Sequence, residues 1–159
     1  MDIVLSSGHT TVIDDADFPI IDGYGWYLSV GKGVNKLYVQ ARSKSDYRVK
    51  VLMHRLILGV SGNVQVDHRD GNGLNNRRDN LRECTQSQNL ANQIRHDKDK
   101  TTSPYKGVDR NRNMWRARIG INGKRINLGQ FDSEIMAASM YNKAALEVFG
   151  EFARINEFI

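Results

Sequence analysis

Residues 67–72 read Asp67-His68-Arg69-Asp70-Gly71-Asn72, and asparagines follow at positions 75, 76, 80 and 89. Gln65 to His68 is typical of a short strand, residues 69–80 of a polar loop, and Leu81 to Cys84 of a returning strand. Thr85 then fits an N-cap in front of a helix over residues 86–92. The sequence therefore predicts a strand pair followed by a helix around these polar side chains.

Three side chains of this stretch suit a chemical role, namely those of Asp67, His68 and Asn89. Asp67 and His68 are neighbours on a strand, so their side chains point to opposite faces and cannot share one chemical role. Carboxylate and amide oxygens are hard ligands that suit Mg²⁺, which takes one or two protein carboxylates and keeps several waters. A histidine with a pKa near ~6.5 can accept a proton from water at neutral pH. The pattern indicates a nuclease site with Asp67 and Asn89 on the metal and His68 as base.

The pattern D-H-x-D-G-x-x-x-N-N-x-x-x-N-L-x-x-x-T-x-x-x-N is met along the whole of residues 67–89. In this stretch the chain resembles the HNH endonucleases, in particular the homing type of phages and mobile introns. The resemblance implies that Asp67 and Asn89 bind one divalent metal, Mg²⁺ with Mn²⁺ as a substitute, and that His68 activates the attacking water. It also implies that Asn80 ties the loop to the strand and orients His68 by hydrogen bonds.

The other polar residues near the loop carry weaker signals. Asp and Asn side chains in Gly-rich loops usually bond to their own backbone. We expect that role for the four remaining residues of this kind: Asp70, Asn72, Asn75 and Asn76. The arginines near the loop could either bind DNA phosphates or be solvated surface charge. The sequence leaves both roles open for Arg77, Arg78 and Arg82. His54 is expected to be packed rather than to bind a ligand.

The basic residues of the chain are concentrated in one segment. The formal net charge is +5 and the pI is near 9.4, but residues 105–130 alone hold seven basic residues and one acidic residue. Three short strands are predicted there, over residues 105–110, 115–119 and 124–129, and Asn122-Gly123 is a strong hairpin signal. On the middle strand apolar side chains alternate with Arg116 and Arg118, so one face is apolar and the other is cationic.

A helix should cover the apolar face of this sheet. Asp132-Ser133-Glu134 is a good helix start, small apolar residues recur at helical spacing after it, and Gly150 ends the pattern. Trp115 is expected to belong to the core rather than to stack on a base.

This segment resembles the APETALA2-type DNA-binding domain, which is also found in integrases of mobile elements. The matching motifs are Tyr105-Lys106-Gly107-Val108, Trp115-Arg116-Ala117-Arg118-Ile119, Leu128-Gly129-Gln130-Phe131 and Phe149-Gly150-Glu151-Phe152-Ala153. The resemblance implies that the sheet enters the major groove of double-stranded DNA. Its candidate DNA contacts are Lys106, Arg110, Arg112, Arg116, Arg118 and Arg125. The chain departs from the plant version at Asp109, where arginine is usual, and at Asn127, where an aromatic residue is usual, so the target sequence does not transfer.

The predicted fold class is α+β. Residues 1–95 would form an HNH module in which an N-terminal β extension packs on a ββα-metal clasp, residues 96–104 a linker, and residues 105–159 a three-stranded antiparallel sheet packed on one helix. The single Cys84 excludes a disulfide within the chain and argues against a structural zinc site. No apolar run reaches the ~20 residues of a membrane span. We expect a cytoplasmic, nucleoid-associated protein in a bacterial or phage-infected cell, and the oligomeric state stays open.

These observations favour a site-specific DNA endonuclease that uses one divalent metal and a histidine base and leaves 3′-hydroxyl and 5′-phosphate ends. The alternative is a sequence-specific DNA-binding regulator with an inactive nuclease fold. The enzyme is favoured because the candidate ligands and the candidate base are all present. An RNA-directed enzyme is disfavoured, since nothing in the chain matches the aromatic stacking platforms of single-strand RNA modules.

Overall fold

The computed structural model describes residues 1–31, 36–93 and 102–158. They form two compact units, Met1–Cys84 and Thr85–Ile159. The described part is a mixed α and β structure with several small antiparallel sheets and four α-helices, in agreement with the predicted mixture of strands and helices. Most of the linker predicted over residues 96–104 lies outside the described residues. No helix in the described part is both long and apolar enough to cross a membrane.

The described residues of the first unit form seven short strands and two short α-helices. Its strands are β1 (Asp2–Val4), β2 (Thr10–Val12), β3 (Tyr27–Val30), β4 (Leu37–Arg42), β5 (Lys50–Leu52), β6 (Gln65–His68) and β7 (Leu81–Cys84). Its helices are α1 (Phe18–Ile21), which follows a 3₁₀ turn at Asp15–Asp17, and α2 (Met53–Leu58). The strands form a β1–β2 hairpin, a sheet in the order β3–β4–β5, and a β6–β7 hairpin.

Most of these elements, together with adjoining loop residues, contribute apolar side chains to one core. The core residues are Leu5, Ile13, Ile21, Val39, Met53, Ile57 and Leu81. Helix α2 stops at Gly59, whose φ of 69° is in the left-handed region that favours glycine. The strands predicted over residues 65–68 and 81–84 are confirmed, whereas strand β1 was not predicted. A unit of this size is held by a small core, so its buried polar contacts also matter for its stability.

The second unit contains the predicted sheet and its covering helix. Its elements are α3 (Gln86–Asn92), β8 (Val108–Asn111), β9 (Met114–Ile121), β10 (Lys124–Phe131), α4 (Glu134–Phe149) and a 3₁₀ turn at Gly150–Phe152. The sheet is antiparallel in the order β10–β9–β8. Thr85 caps α3 in a capping box with Gln88, which confirms the predicted helix start. At the β9–β10 turn Asn122 and Gly123 have φ values of 49° and 77°, as a two-residue hairpin requires.

The alanines of α4 let this helix lie close to the sheet. Ala137 and Ala138 pack on Val108 and Ala117, and all four are buried. Gly107 is required at this contact, because a Cβ there would lie 2.1 Å from the Tyr141 ring and its φ is +77°. The apolar face of the sheet is therefore covered by α4, as the sequence predicted.

Helix α3 belongs to this second core. Ala91 is buried with Ile119, Tyr141, Ala145 and Phe149. The ammonium group of Lys106 donates to the backbone carbonyls of Leu90, Ala91 and Gln93 at the C-terminal end of α3. The division between the compact units consequently falls after Cys84, earlier than the predicted module boundary at residue 95. The functional division into two modules stays a prediction.

Candidate active site

The β6–β7 hairpin sets the directions of the two central side chains. Its register pairs Asp67 with Arg82 and His68 with Leu81. Residues directly opposite each other in an antiparallel pair share a face, so Asp67 shares a face with Arg82 and His68 points to the other side. This agrees with the expectation that Asp67 and His68 serve different purposes.

Asp67 and Arg82 form a buried ion pair. Asp67 Oδ2 accepts hydrogen bonds from Arg82 Nη2 at 2.8 Å and from Arg82 Nε at 3.1 Å. The two side chains are only 3% and 7% exposed. A carboxylate has two oxygens with about four acceptor sites, so this pairing is compatible with a bond from Asp67 to a cation. Arg82 is thus a partner of the candidate ligand, a role different from the two that the sequence left open.

His68 is oriented by a chain of hydrogen bonds that begins at Thr11. The Thr11 hydroxyl donates to the carbonyl of Leu74 at 2.7 Å, and Thr11 Oγ1 accepts from Asn76 Nδ2 at 2.8 Å. The amide oxygen of Asn76 therefore faces the imidazole, 3.3 Å from His68 Nε2. An acceptor at this position places the ring proton on Nε2. The lone pair that can accept a proton is then on Nδ1.

The surroundings of His68 favour a neutral ring. Its ring lies 4.9 Å from that of His54 in an edge contact, and the ring of Tyr38 lies 6.0 Å from His68. Burial lowers the pKa of His68, against the opposing effects of Asn76 and the nearby carboxylates. Burial, followed by the charges of His68 and Arg55, lowers the pKa of His54 to about 3. His54 is packed, as predicted, and its Nδ1 atom is buried with no hydrogen-bond partner among the described residues.

The Gly/Asn-rich loop is held by its own polar side chains. Asp70 accepts from the backbone of Asn72 at 2.7 Å and from Asn75 Nδ2 at 2.8 Å. Asn80 donates to Asp70 Oδ1 at 3.0 Å and to the carbonyl of Asn75 at 2.8 Å, and its Oδ1 accepts from the backbone of Asp70. Asp70, Asn72 and Asn75 are thus turn residues, as expected, and Asn80 closes the loop just after His68.

Asn76 differs from the turn role that we expected for it. Its side chain is fully buried, and besides a long bond of 3.5 Å from Nδ2 to the carbonyl of Gly73 it links the candidate base to β2. The predicted orientation of His68 by hydrogen bonds is supplied by this amide, while the side-chain bonds of Asn80 go to Asp70 and Asn75. Sequence reasoning missed Asn76 because its partner Thr11 lies 65 residues away.

The loop also packs on the N-terminal part of the unit. The backbone of Asn76 donates to Val12 at 2.7 Å, and Val12 donates to Leu74 at 2.9 Å. Arg78 forms an ion pair with the buried Asp17, with Nη2 and Oδ1 2.7 Å apart. Arg78 therefore anchors the loop, which was neither of the two roles considered for it, and Arg77 is exposed.

The predicted nuclease requires a divalent metal ion, and two side chains offer oxygen ligands for it. Asp67 offers a carboxylate oxygen, and Asn89 lies in α3 of the second unit and offers an amide oxygen. Among residues 1–31, 36–93 and 102–158, no three His, Cys, Asp or Glu side chains are grouped so that they could hold a metal ion. A carboxylate oxygen and an amide oxygen are both ligand types that suit Mg²⁺. The assignment of Asp67 and Asn89 as ligands stays a prediction.

The exposed face of the β8–β9–β10 sheet holds three of the six predicted DNA contacts. The register pairs Asp109 with Arg116, Arg118 with Asn127, and Gly120 with Arg125, so these side chains share one face. Asp109 forms ion pairs with both central arginines, at 2.7 Å to Arg116 and 2.9 Å to Arg118. This face therefore carries cationic groups that are partly neutralised by one carboxylate.

The other three predicted contacts are placed differently. Arg110 lies over the ring of Trp115, 4.8 Å from its centroid, while Trp115 is partly buried against the core. Arg112 occupies the β8–β9 turn with a φ of 56°. The ammonium group of Lys106 is bound to the carbonyls at the end of α3. The structure thus gives Lys106 a helix-capping role that its sequence context did not indicate.

Comparisons with known proteins agree with the pattern found in the first unit. A family model described as HNH endonuclease matches residues 47–91. The chain is 34% identical over 152 residues to "Uncharacterized HNH endonuclease L560" of Acanthamoeba polyphaga mimivirus, an alignment that covers 88% of this chain and 71% of that protein. It is 36% identical over 91 residues to "Protein 3.8" of Escherichia phage T7, covering 56% of this chain and 73% of that protein. No solved structure matches the chain significantly.

Proposed function

The chain belongs to the HNH endonuclease family, and on that premise we propose that it is a site-specific DNA endonuclease of the homing type. In this proposal the β6–β7 hairpin of the first unit supplies the base and one metal ligand, and the sheet of the second unit selects the DNA sequence. The observation that carries the proposal is the hydrogen-bond chain from Thr11 through Asn76 to His68. It fixes the tautomer of a histidine that burial keeps neutral.

His68 acts as the general base. With the Nε2 proton held by Asn76 Oδ1, Nδ1 removes a proton from a water molecule. The oxygen of that water attacks the phosphorus of the scissile phosphodiester, and the bond from phosphorus to the 3′ oxygen breaks. The departing 3′ oxygen takes up a proton from solvent water and His68 returns its proton to solvent, so the products carry a 3′-hydroxyl and a 5′-phosphate. General base catalysis of this kind typically contributes about 10²–10⁴-fold.

Asp67 and Asn89 are the proposed ligands of one divalent metal, Mg²⁺ or Mn²⁺. A bound metal of this kind supplies a Lewis acid that stabilises negative charge on the phosphate and on the leaving oxygen. The pairing of Arg82 with Asp67 keeps the carboxylate fixed on its strand. Asn80 holds the chain that follows His68 through its bonds to Asp70 and Asn75.

The sheet of the second unit is the proposed reading module, of the APETALA2 type. The support is its cationic face, on which Arg116, Arg118 and Arg125 lie together. Arg110 and Arg112 extend the set of candidate contacts at one end of β8, and Lys106 is retained as a candidate although it caps α3. Arginine contacts to guanine edges specify sequence, and contacts to phosphates add affinity that depends on salt.

The test is cleavage of a mixed pool of double-stranded DNA by the full chain with Mg²⁺, followed by mapping of the ends. His68→Ala should lower the cleavage rate by at least ~100-fold while DNA affinity stays nearly unchanged. His9→Ala is the matched control, because His9 is an exposed histidine of the same unit. Cleavage by the His68→Ala protein at the wild-type rate would contradict the proposed base.

The metal assignment has its own test. Asp67→Ala should abolish cleavage with both Mg²⁺ and Mn²⁺, and a chelator should abolish it in the wild-type protein. If the purified protein instead holds stoichiometric zinc and cuts DNA in the presence of a magnesium chelator, the proposed oxygen-ligand site is wrong.

One observation favours the alternative of a DNA-binding regulator with an inactive nuclease fold. Asp67 is engaged by a buried arginine, as a carboxylate with a purely structural role would be. That alternative predicts sequence-selective binding with no cleavage under any divalent metal. The same mixed-pool experiment decides between the two, since the regulator yields bound but uncut DNA.

A further inference from the structure

Asp109 is the acidic residue of the segment 105–130, and the sheet places it between two arginines. It stands opposite Arg116 in the β8–β9 register and diagonally across from Arg118. Asp109 Oδ2 lies 2.7 Å from Arg116 Nη2, and Asp109 Oδ1 lies 2.9 Å from Arg118 Nη2 and 3.1 Å from Arg118 Nε. Arg116 Nε also donates to Asp109 Oδ1, over 3.5 Å, so the one carboxylate holds both guanidinium groups.

This arrangement changes both the charge and the mobility of the arginines. The three side chains together carry one positive charge instead of the two that the arginines alone would give. Asp109 is ionised at neutral pH, because burial raises its pKa less than the two arginines lower it. All three groups are about one quarter to one third exposed, so each guanidinium group is held from the sheet side and faces solvent with its remaining edge. An arginine that is ordered in advance loses less entropy on binding.

From this geometry we infer that Asp109 is a specificity-determining residue of the sheet. It positions Arg116 and Arg118 for bidentate hydrogen bonds to base edges and weakens their attraction to phosphates. The inference rests on the proposed function, because it takes the cationic face as the DNA-reading surface. Asp109 acts through the two arginines, and both of its oxygens are already engaged by them.

Removal of the charge should separate selectivity from affinity. In Asp109→Asn the two arginines lose their common partner, so affinity for random DNA rises. The plot of log affinity against log salt concentration becomes steeper by about 0.9, the value for one additional released counterion on B-DNA. The ratio of the affinities for a selected and a scrambled duplex falls at least about fivefold. This is the low end of the discrimination given by one bidentate contact to a base.

The experiment uses the full chain with EDTA and a pool of short duplexes with a randomised centre. Bound duplexes are sequenced, and affinities for the selected and a scrambled duplex are measured across a salt series. Glu147→Gln is the matched control, because it makes the same charge change at an exposed position of α4. Asp109→Glu keeps the charge but shifts the carboxylate, so it should keep the wild-type salt slope and lose selectivity.

The outcomes separate the two levels of the proposal. If the wild-type chain selects a sequence but Asp109→Asn and Glu147→Gln have the same selectivity and the same salt slope, the inference about Asp109 is overturned and the proposed function stands. If Asp109→Asn does not fold, Asp109→Glu decides, and wild-type selectivity in that variant overturns the inference. If the wild-type chain binds the pool without selection, the reading role of the sheet fails and the inference fails with it.

Discussion

Replacement of Arg82 by methionine tests how the candidate metal ligand is held. Asp67 and Arg82 are 3% and 7% exposed, and two nitrogens of Arg82 donate to one oxygen of Asp67. Arg82→Met leaves the carboxylate buried without its partner. Breaking a buried pair in this way costs about 3–5 kcal/mol, a large part of the total stability of a small domain. We therefore expect the free energy of unfolding to fall by at least about 3 kcal/mol.

The double variant Asp67→Leu with Arg82→Met removes both charges. Replacing a buried pair by apolar side chains of similar volume is often neutral or stabilising, so this protein should recover to within about 1 kcal/mol of the wild type. It should also be inactive as a nuclease, because it lacks the proposed ligand. A folded but inactive double variant would separate the catalytic role of Asp67 from its structural role.

The assay is equilibrium unfolding in urea with EDTA present, so that metal binding does not contribute. Arg77→Met is the control, because Arg77 is exposed in the adjacent loop and surface changes are usually within ±0.5 kcal/mol. If Arg82→Met is no more destabilising than Arg77→Met, the ion pair contributes nothing to stability. If the effects of the two single changes at Asp67 and Arg82 simply add in the double variant, the two side chains are not coupled and the reasoning is refuted.

His54→Phe should weaken the loss of stability in acid. His54 takes up a proton below pH ~6.5 in the unfolded chain but only near pH 3 in the folded chain. The stability that is present above pH ~6.5 is therefore lost as the pH falls, by about 2 kcal/mol at pH 5. Urea unfolding at several pH values measures this, and an unchanged pH dependence would contradict it. Thr11→Val should lower the cleavage rate by at least ~10-fold, because the Asn76 amide loses the hydroxyl that fixes its orientation. Thr11→Ser keeps a hydroxyl and should restore the rate. Equal rates in the wild type and both variants would show that Thr11 does not contribute to the site. A fragment ending near Lys100 should retain only weak, poorly selective cleavage, because it keeps Asp67, His68 and Asn89 but lacks the proposed reading sheet and the partners of Ala91 in residues 119–149. Plasmid nicking checks this, and cleavage as strong and as selective as that of the full chain would contradict it.

The local elements could be predicted from the sequence because their signals are local. Thr85 and Gln88 are three residues apart and define the start of α3, and Asn122-Gly123 defines a hairpin within two residues. The alternation of apolar and arginine side chains along β9 predicted which face of the sheet is buried and which is exposed. The Asp67–Arg82 pair was also within reach, since an antiparallel pairing of the predicted strands 65–68 and 81–84 places these two residues opposite each other.

The contacts that complete the candidate site depend on distant parts of the chain. The partner of Asn76 is 65 residues away in β2, and that of Arg78 is 61 residues away. Lys106 was assigned to DNA because it lies in a basic segment, but its ammonium group is bound by carbonyls 13 to 16 residues earlier. Periodicity and composition describe single elements, and they do not show which elements meet.

The hydrogen bond between Thr11 and Asn76 also links the proposed activity to the folding of the chain. Closing a loop of 65 residues costs about 4 kcal/mol of chain entropy by the logarithmic loop-closure relation. The contact is therefore favourable only when the surrounding core has formed around it. A nascent or truncated chain carries residues 67–72 well before it can hold the His68 ring in place. On the proposed mechanism, the newly made protein therefore cannot cleave DNA before its first unit has folded.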